Sequence, residues 1–367
     1  MSPFLVIPMT HSRALAATAL TVTLVFSLPA FAHHAGGAGN TGGAGPINTI
    51  SASTLEHGHA VAGVVVDYTR LNTLSDATLI NATAAGLEGV HDLKTLQSFA
   101  LVGAYGVTND LTVSFHVPFV KRTGIRAAEA DPNSGVIDLL DHGGSDGFGD
   151  VSTLGQYRFF NDRASQTEAA VLFGLKAPTG PTDLRSRQNE LLDAEFQPGS
   201  GSWDFSVGAA ATHRVGQWSF DANVLYIIAT EGTQNTELGD LFQYNAAISY
   251  RLAGLGHTGQ APMFHGGHSH ETGDDGHAHA LMHDEAPAGP AFDLILELNG
   301  QWHGKQVTNG VTDENSGAST IFISPGLRVS VGQVSAFASV GIPVLNDFNG
   351  IQPDNDWHLS TGVMVTF

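Results

Sequence analysis

The sequence has no cysteine. That excludes a disulfide framework and thiolate metal sites, leaving histidine and carboxylate as metal ligands. Lysine and arginine number only 15 against 35 acids, for a formal charge of -20. A chain so short of basic residues offers no surface for nucleic acid, which is excluded as a partner. Long apolar runs are also missing. Beyond residues 14–28, no stretch approaches the roughly 20 residues of a spanning helix.

What is present begins with an export signal. Arg13 precedes the apolar run from Ala14 to Leu28, and Ala30-Phe31-Ala32 places small residues where a signal peptidase reads them. Residues 1–32 are therefore expected to be removed. Residues 33–58 open with His33 and His34 and continue rich in glycine, which predicts a flexible periplasmic segment with no core of its own.

From residue 59 the dominant signal is period-2 alternation. The last eleven residues show it plainly: Trp357, Leu359, Thr361, Val363, Val365 and Phe367 fall on one face, His358, Ser360, Gly362, Met364 and Thr366 on the other. Twelve such segments can be counted. Short turns follow the second, fourth, sixth and tenth, and long connections follow the first, third, fifth, ninth and eleventh. Aromatic residues gather at segment ends, as at Trp203, Trp218, Trp302 and Trp357. An even strand count with short turns on one side and long loops on the other is the pattern of an outer-membrane barrel. The fold class expected is all-β: a single transmembrane antiparallel β-barrel of about 12 strands (range 10–14), with short periplasmic turns and longer extracellular loops, over residues 59–367. Its location is the outer membrane of a Gram-negative bacterium. Its partners are outer-membrane lipid and lipopolysaccharide, and the barrel-assembly machinery acting on the strand that ends at Phe367.

With the apolar face on lipid, the second face lines a lumen. Its titratable residues are Asp67, His116, Asp150, Arg158, Glu168, Lys176, Asp204, Arg214, Asp221, Arg251, Asp293, Glu297, His303, Arg328 and His358. Mixed signs across a lumen can pair and fill it, or set a transverse field for a polar solute. Twelve strands fall between small, side-chain-filled barrels and the wide porins, which suits a narrow conduit for a small-molecule solute.

A second candidate site is the insertion at 254–290, expected to be disordered and periplasmic. It carries His257, His265, His268, His270, His277, His279 and His283 with interleaved acids. Imidazole and carboxylate suit labile Zn, Cu, Ni or Co, and His33 and His34 could join them. The irregular spacing specifies no single tetrahedral site. No cofactor is required. A lipid hydrolase would need a Ser–His pair on the outward face. That face is nearly free of serine, and its mid-sequence histidine is His213, so no enzyme is expected.

Several stretches resemble the MetA-pathway of phenol degradation family of outer-membrane transporters. They are Gly147-Phe148-Gly149-Asp150, Leu175-Lys176-Ala177-Pro178-Thr179-Gly180, Ser324-Pro325-Gly326-Leu327, Gly341-Ile342-Pro343-Val344, the terminal aromatic strand and the region of Gly45-Pro46-Ile47. The resemblance implies a barrel that transports small aromatic or hydrophobic solutes, and supplies no catalytic or binding residues. The histidine-rich insertion departs from the family pattern. It supports the alternative of a metal-binding barrel linked to Zn, Cu, Ni or Co handling.

Overall fold

A computed structural model describes residues 45–87, 89–131, 134–252 and 290–367. Twelve strands form the wall: β1 (Ala60–Asn72), β2 (Thr95–Thr108), β3 (Leu111–Ala130), β4 (Val151–Asp162), β5 (Thr167–Ala177), β6 (Asp204–Val215), β7 (Trp218–Ile228), β8 (Leu241–Leu252), β9 (Ala291–His303), β10 (Ala318–Val331), β11 (Val334–Phe348) and β12 (Asp354–Thr366). Each pairs antiparallel with its sequence neighbour, and β1 pairs with β12 from Val61↔Thr366 to Asn72↔Asp354, closing the cylinder. Closure leaves no strand edge unpaired in lipid, where an orphaned backbone group is costly.

The alternation sorts the two faces as the sequence predicts. Leu101, Phe115, Phe173, Val207, Val224 and Leu296 on the outward face are all exposed, Leu296 by 51%. Their neighbours along the strands, among them Ser98, Thr212, Asp221, Ser249 and Glu297, are buried. A soluble sheet buries its apolar face; here the apolar face is outermost and lipid is its solvent. Aromatic pairs mark the interfaces: Trp218 lies 4.6 Å from Tyr250, and Tyr68 stacks on Trp357 at 4.9 Å.

Two expectations need correction. The long connection expected after the third strand, the Gly- and Asp-rich stretch 121–147, is largely sheet. Strand β3 runs on to Ala130, and a further strand, Ile137–Phe148, pairs with it from Phe119↔Phe148 to Ala130↔Ile137. The glycines and acids that suggested a loop sit in a hairpin that rises clear of the short β3–β4 pairing (Leu111↔Tyr157 to His116↔Ser152). There each strand needs no lipid-facing apolar residues.

The second correction concerns residues 33–58. From Gly45 onward the segment is no free linker; it crosses the inside of the barrel, with residues 49–55 buried throughout. Its peptide groups find partners on the wall, as backbone removed from water must. Ile50 donates to Asn223 Oδ1 at 2.8 Å, Ala52 to Thr212 Oγ1 at 2.8 Å and Leu55 to Thr112 Oγ1 at 2.8 Å. Gln156 Nε2 donates to the carbonyls of Ser51 and Ser53 at 2.9 Å each. Ile50 and Ala52 also pack against the small inward apolar patch of Leu154, Leu172, Ala210 and Leu225. Residues 1–44 and the insertion at 254–289 lie outside the described residues.

The extracellular mouth is built from the long connections. A helix, α1 (Asp76–Ala84), is capped at its N-terminus by Ser75 and buries Leu79 and Ala82. The loop 178–203 carries Leu192 and Phe196 down onto Leu71, Leu96, Val120 and Ile125. This loop therefore packs over the β1–β3 side of the mouth.

Candidate functional site: the lumen and its plug

The lumen is organised around the segment 45–55. At its far end, Glu297 of β9 accepts the backbone N–H groups of Ile47 (3.1 Å), Asn48 (3.0 Å) and Thr49 (2.9 Å), and the Asn48 side-chain amide at 2.8 Å. Glu297 is 1% exposed, and among the described residues no Lys or Arg hydrogen-bonds to it. The plug's own donors therefore hold this charge. Arg328 donates to the carbonyl of Pro46 alongside. At the near end, Ser53 Oγ donates to Glu168 at 2.6 Å, inside a cluster in which Arg158 (2.6 Å) and Arg214 (3.0 Å) each grip one oxygen of the same carboxylate.

The other charged positions expected on the inward face are also placed there, mostly in pairs. Arg251 holds the buried Asp293 with two bonds, at 2.7 and 2.9 Å. Lys176 contacts Asp204 and lies 3.6 Å from Asp150. Asp150 accepts the N–H of Gly180 (2.9 Å) and of Ser200 (2.8 Å), tying the loop 178–203 to the rim. Asp221 accepts the hydroxyls of Thr212 (2.6 Å) and Ser219 (2.8 Å). His116 is buried beside Ser152, and His303 lies at the extracellular end of β9 beside the backbone of Leu238 and Gly239. His358 hydrogen-bonds Thr69 at 2.9 Å and lies 3.6 Å from Asp67. Pairing fills the β3–β6 side of the lumen with side chains.

Space remains on the opposite side. A cavity is lined by Asp67, Thr69, Gln243, Asn245, Asn299, Gly300, Gln301, Phe322, Ser324, Asn355 and His358, with Asn48 of the plug among its walls. Its character is amide. Asn223, Asn245 and Asn299 are direct neighbours across β7, β8 and β9. They form a ladder: Asn299 donates to Asn245 at 3.2 Å, Asn245 to Asn223 at 3.3 Å, and Asn223 accepts from the plug at Ile50.

The amides escaped a reading that kept only titratable residues, although Gln243, Asn245, Asn299 and Gln301 lie on the polar face by simple alternation. Asn48 and Asn355 had no such signal. Asn48 sits in a segment without periodicity. Asn355 turns inward because a bulge opposite Arg70 and Leu71 breaks the alternation just before Trp357.

The metal candidates His33, His34, His257, His265, His268, His270, His277, His279 and His283 lie outside the described residues. At the extracellular mouth, Glu129, His142 and Glu190 bring one ligand atom each to within 4.8 Å of one another, a trio the sequence did not single out. Outward-facing His213 shares a 2.9 Å hydrogen bond with Thr167, with no carboxylate orienting its ring among the described residues.

A closed antiparallel barrel with an apolar exterior and a polar, partly occupied lumen defines an outer-membrane β-barrel. The chain belongs to the family described as "Putative MetA-pathway of phenol degradation", whose model matches residues 80–285. Among solved structures, an outer membrane channel from Pseudomonas putida F1 shares the fold at a TM-score of 0.51 and 14% identity, covering 86% of this chain and 97% of that one. The Ralstonia pickettii toluene transporter TbuX has a TM-score of 0.39 at 11% identity, covering 85% of this chain and 90% of that one. The monoaromatic hydrocarbon channel CymD has 0.40 at 9%, covering 85% and 89%. The last two are too distant to carry an argument. No curated protein matches the chain.

Proposed function

We propose that the protein is an outer-membrane conduit for small solutes, with residues 45–55 as a plug that must shift for passage. The observation that carries this reading is the plug itself: an uncharged strand of chain tied to Glu168, Asn223 and Glu297, with an open polar cavity beside Asn48. A purely structural barrel has no need of a cavity walled partly by a segment bound through side chains. Small aromatic compounds are the solute class to which family membership points. The reading carries with it export by the signal at 1–32, lipopolysaccharide against the outer apolar band and insertion by the assembly machinery acting on β12. No specific observation favours the metal-handling alternative.

The test is reconstitution of the mature chain in planar bilayers and in liposomes, beside a form lacking residues 45–55. The conduit reading expects low or intermittent conductance from the intact chain and a steady, larger conductance from the deletion. A deletion that folds and still conducts nothing would sink it.

A further inference from the structure

The cavity beside the plug has a chemistry of its own. Six amides contribute to its wall: Asn48, Gln243, Asn245, Asn299, Gln301 and Asn355. Several keep hydrogen-bonding capacity unused by the protein. The Gln301 amide has no partner among the described residues, and Asn299 spends only its N–H on Asn245. The Asn48 amide gives its N–H to Glu297, and its oxygen has no partner among the described residues. Asn355 is 3% exposed, and its side-chain oxygen is buried without a partner. A buried amide oxygen with nothing to accept from is the kind of group a ligand donor relieves. Phe322, in register with Asn299 on the next strand, adds one flat apolar surface, 6.3 Å from the His358 ring.

The charges present argue as strongly. Among the described residues no Lys or Arg lines the cavity, so an anion finds no counter-charge there and meets Asp67. The single carboxylate, Asp67, already faces His358. A bare hydrocarbon would cover several amides and replace none of their hydrogen bonds with water, losing about tenfold in affinity for each group stranded. What the wall complements is an uncharged solute that both donates and accepts.

We propose that this cavity binds an uncharged small molecule bearing at least two hydroxyl groups, seated between the amides and Phe322 and touching Asn48 of the plug. The proposal rests on the conduit reading and narrows its solute class from aromatic or hydrophobic compounds to hydroxylated ones. The hydroxyls take the free oxygens of Asn299, Asn48 and Asn355 and the Gln301 amide. The ring or carbon frame lies on Phe322. Two sources share this chemistry, an aromatic diol and an aliphatic polyol, and Phe322 favours the first.

The experiment is calorimetric titration of the full mature chain in detergent with four probes: benzene-1,2-diol, cyclohexane-1,2-diol, toluene and benzoate. The proposal expects both diols to bind, the aromatic one more tightly, and toluene and benzoate to bind at least tenfold more weakly. Gln301→Leu should weaken the diols about three- to tenfold and leave toluene unchanged or improved. The Gln301 side chain makes no hydrogen bond among the described residues, so this variant should fold; heat-dependent migration on gels checks that it has. Asn355→Ala is the second variant, expected to act in the same direction.

Toluene or benzoate binding as tightly as the diols would overturn the proposal. So would a cavity that holds water only, with no diol binding and no effect of Gln301→Leu. Conductance separates this from the conduit reading. A chain that conducts once residues 45–55 are removed but ignores diols keeps the conduit and loses the hydroxyl-reading site; diol binding without any conductance does the reverse.

Discussion

Asn48 grips Glu297 with both its backbone N–H, 3.0 Å from each carboxylate oxygen, and its side-chain amide at 2.8 Å, across 249 residues of sequence. The contact turns an apparently unattached N-terminal stretch into part of the lumen. It also puts the plug and the open cavity under one residue, since Asn48 touches both.

Glu297→Ala removes the acceptor for the N–H groups of Ile47, Asn48 and Thr49 at once. Hydrogen bonds to a charged group contribute about 1.5–3 kcal/mol each, less where water can replace them. The plug should leave its far anchor, and bilayer conductance should rise several-fold while the barrel still folds. Unchanged conductance in a folded variant would show that Glu297 does not hold the plug.

Gly326 offers an independent way to the same end. A β-carbon there would lie 2.7 Å from Ile47 Cδ1, so any side chain at this inward position of β10 obliges the tip of Ile47 to move, and a branched one crowds the plug further. Gly326→Val should expose residues 45–55 to added protease, with Glu297 untouched. If protection persists, Ile47 adjusts and the close approach is not decisive.

Removing the carboxylate between Arg158 and Arg214 tests the near anchor. Glu168→Ala leaves two partly buried guanidinium groups facing each other and takes the acceptor from the Ser53 hydroxyl, which still accepts from Arg214. A fully buried pair broken on one side costs about 3–5 kcal/mol; with Arg214 side chain 28% exposed, about 2–3 kcal/mol is expected. Urea unfolding from liposomes measures it. Glu168→Gln, which keeps a hydrogen-bonding shape without charge, should recover part of the loss.

On the outward face, Leu296→Arg places a charge near the middle of β9, at a cost of about 2–4 kcal/mol if lipid covers it. The same change at Val311, exposed by 70% in the extracellular connection 304–317, should lie within about 0.5 kcal/mol of neutral. Equal effects at the two sites would contradict the membrane placement of β9.

The extracellular connections should respond to pH through Asp313. Burial pushes its carboxyl up from the usual range and nearby Glu195 adds to this, against the N–H of Asn315. The folded loop thus holds a proton more tightly than the unfolded chain. Stability from this source is fully present below the ordinary carboxylate range and is lost as pH rises through the raised value. Protection factors for hydrogen exchange across residues 304–317, corrected for the intrinsic pH dependence of amide exchange, should be higher at pH 4 than at pH 7, and Asp313→Asn should flatten the difference.

Much of this protein was legible without coordinates, because period 2 is a one-dimensional signal. Strand β9 alternates Leu294, Leu296 and Leu298 with Asp293, Glu297 and Asn299, and the alternation alone assigns each to lipid or lumen. The same count gave the sides of the turns, and so the shape of a closed barrel. Where alternation lapsed, the reading lapsed with it. The hairpin beyond Phe119 packs its few apolar residues, Val120, Ile125, Ala128, Ile137 and Leu139, against the loops of the mouth, and their spacing is too sparse to read as a strand.

The sequence by itself determined a twelve-stranded membrane barrel, its inward charges and its family. Tertiary structure alone decided that residues 45–55 fill the lumen, because an uncharged, aperiodic segment earns its place only from acceptors some 55 to 250 residues away, at Thr112, Thr212, Asn223 and Glu297. It alone decided which polar residues surround open space. Arg158, Glu168 and Arg214 close upon one another, whereas Gln301, Asn299 and Asn355 face across a gap. That difference depends on which strands curve to meet, and no local pattern in the chain records it.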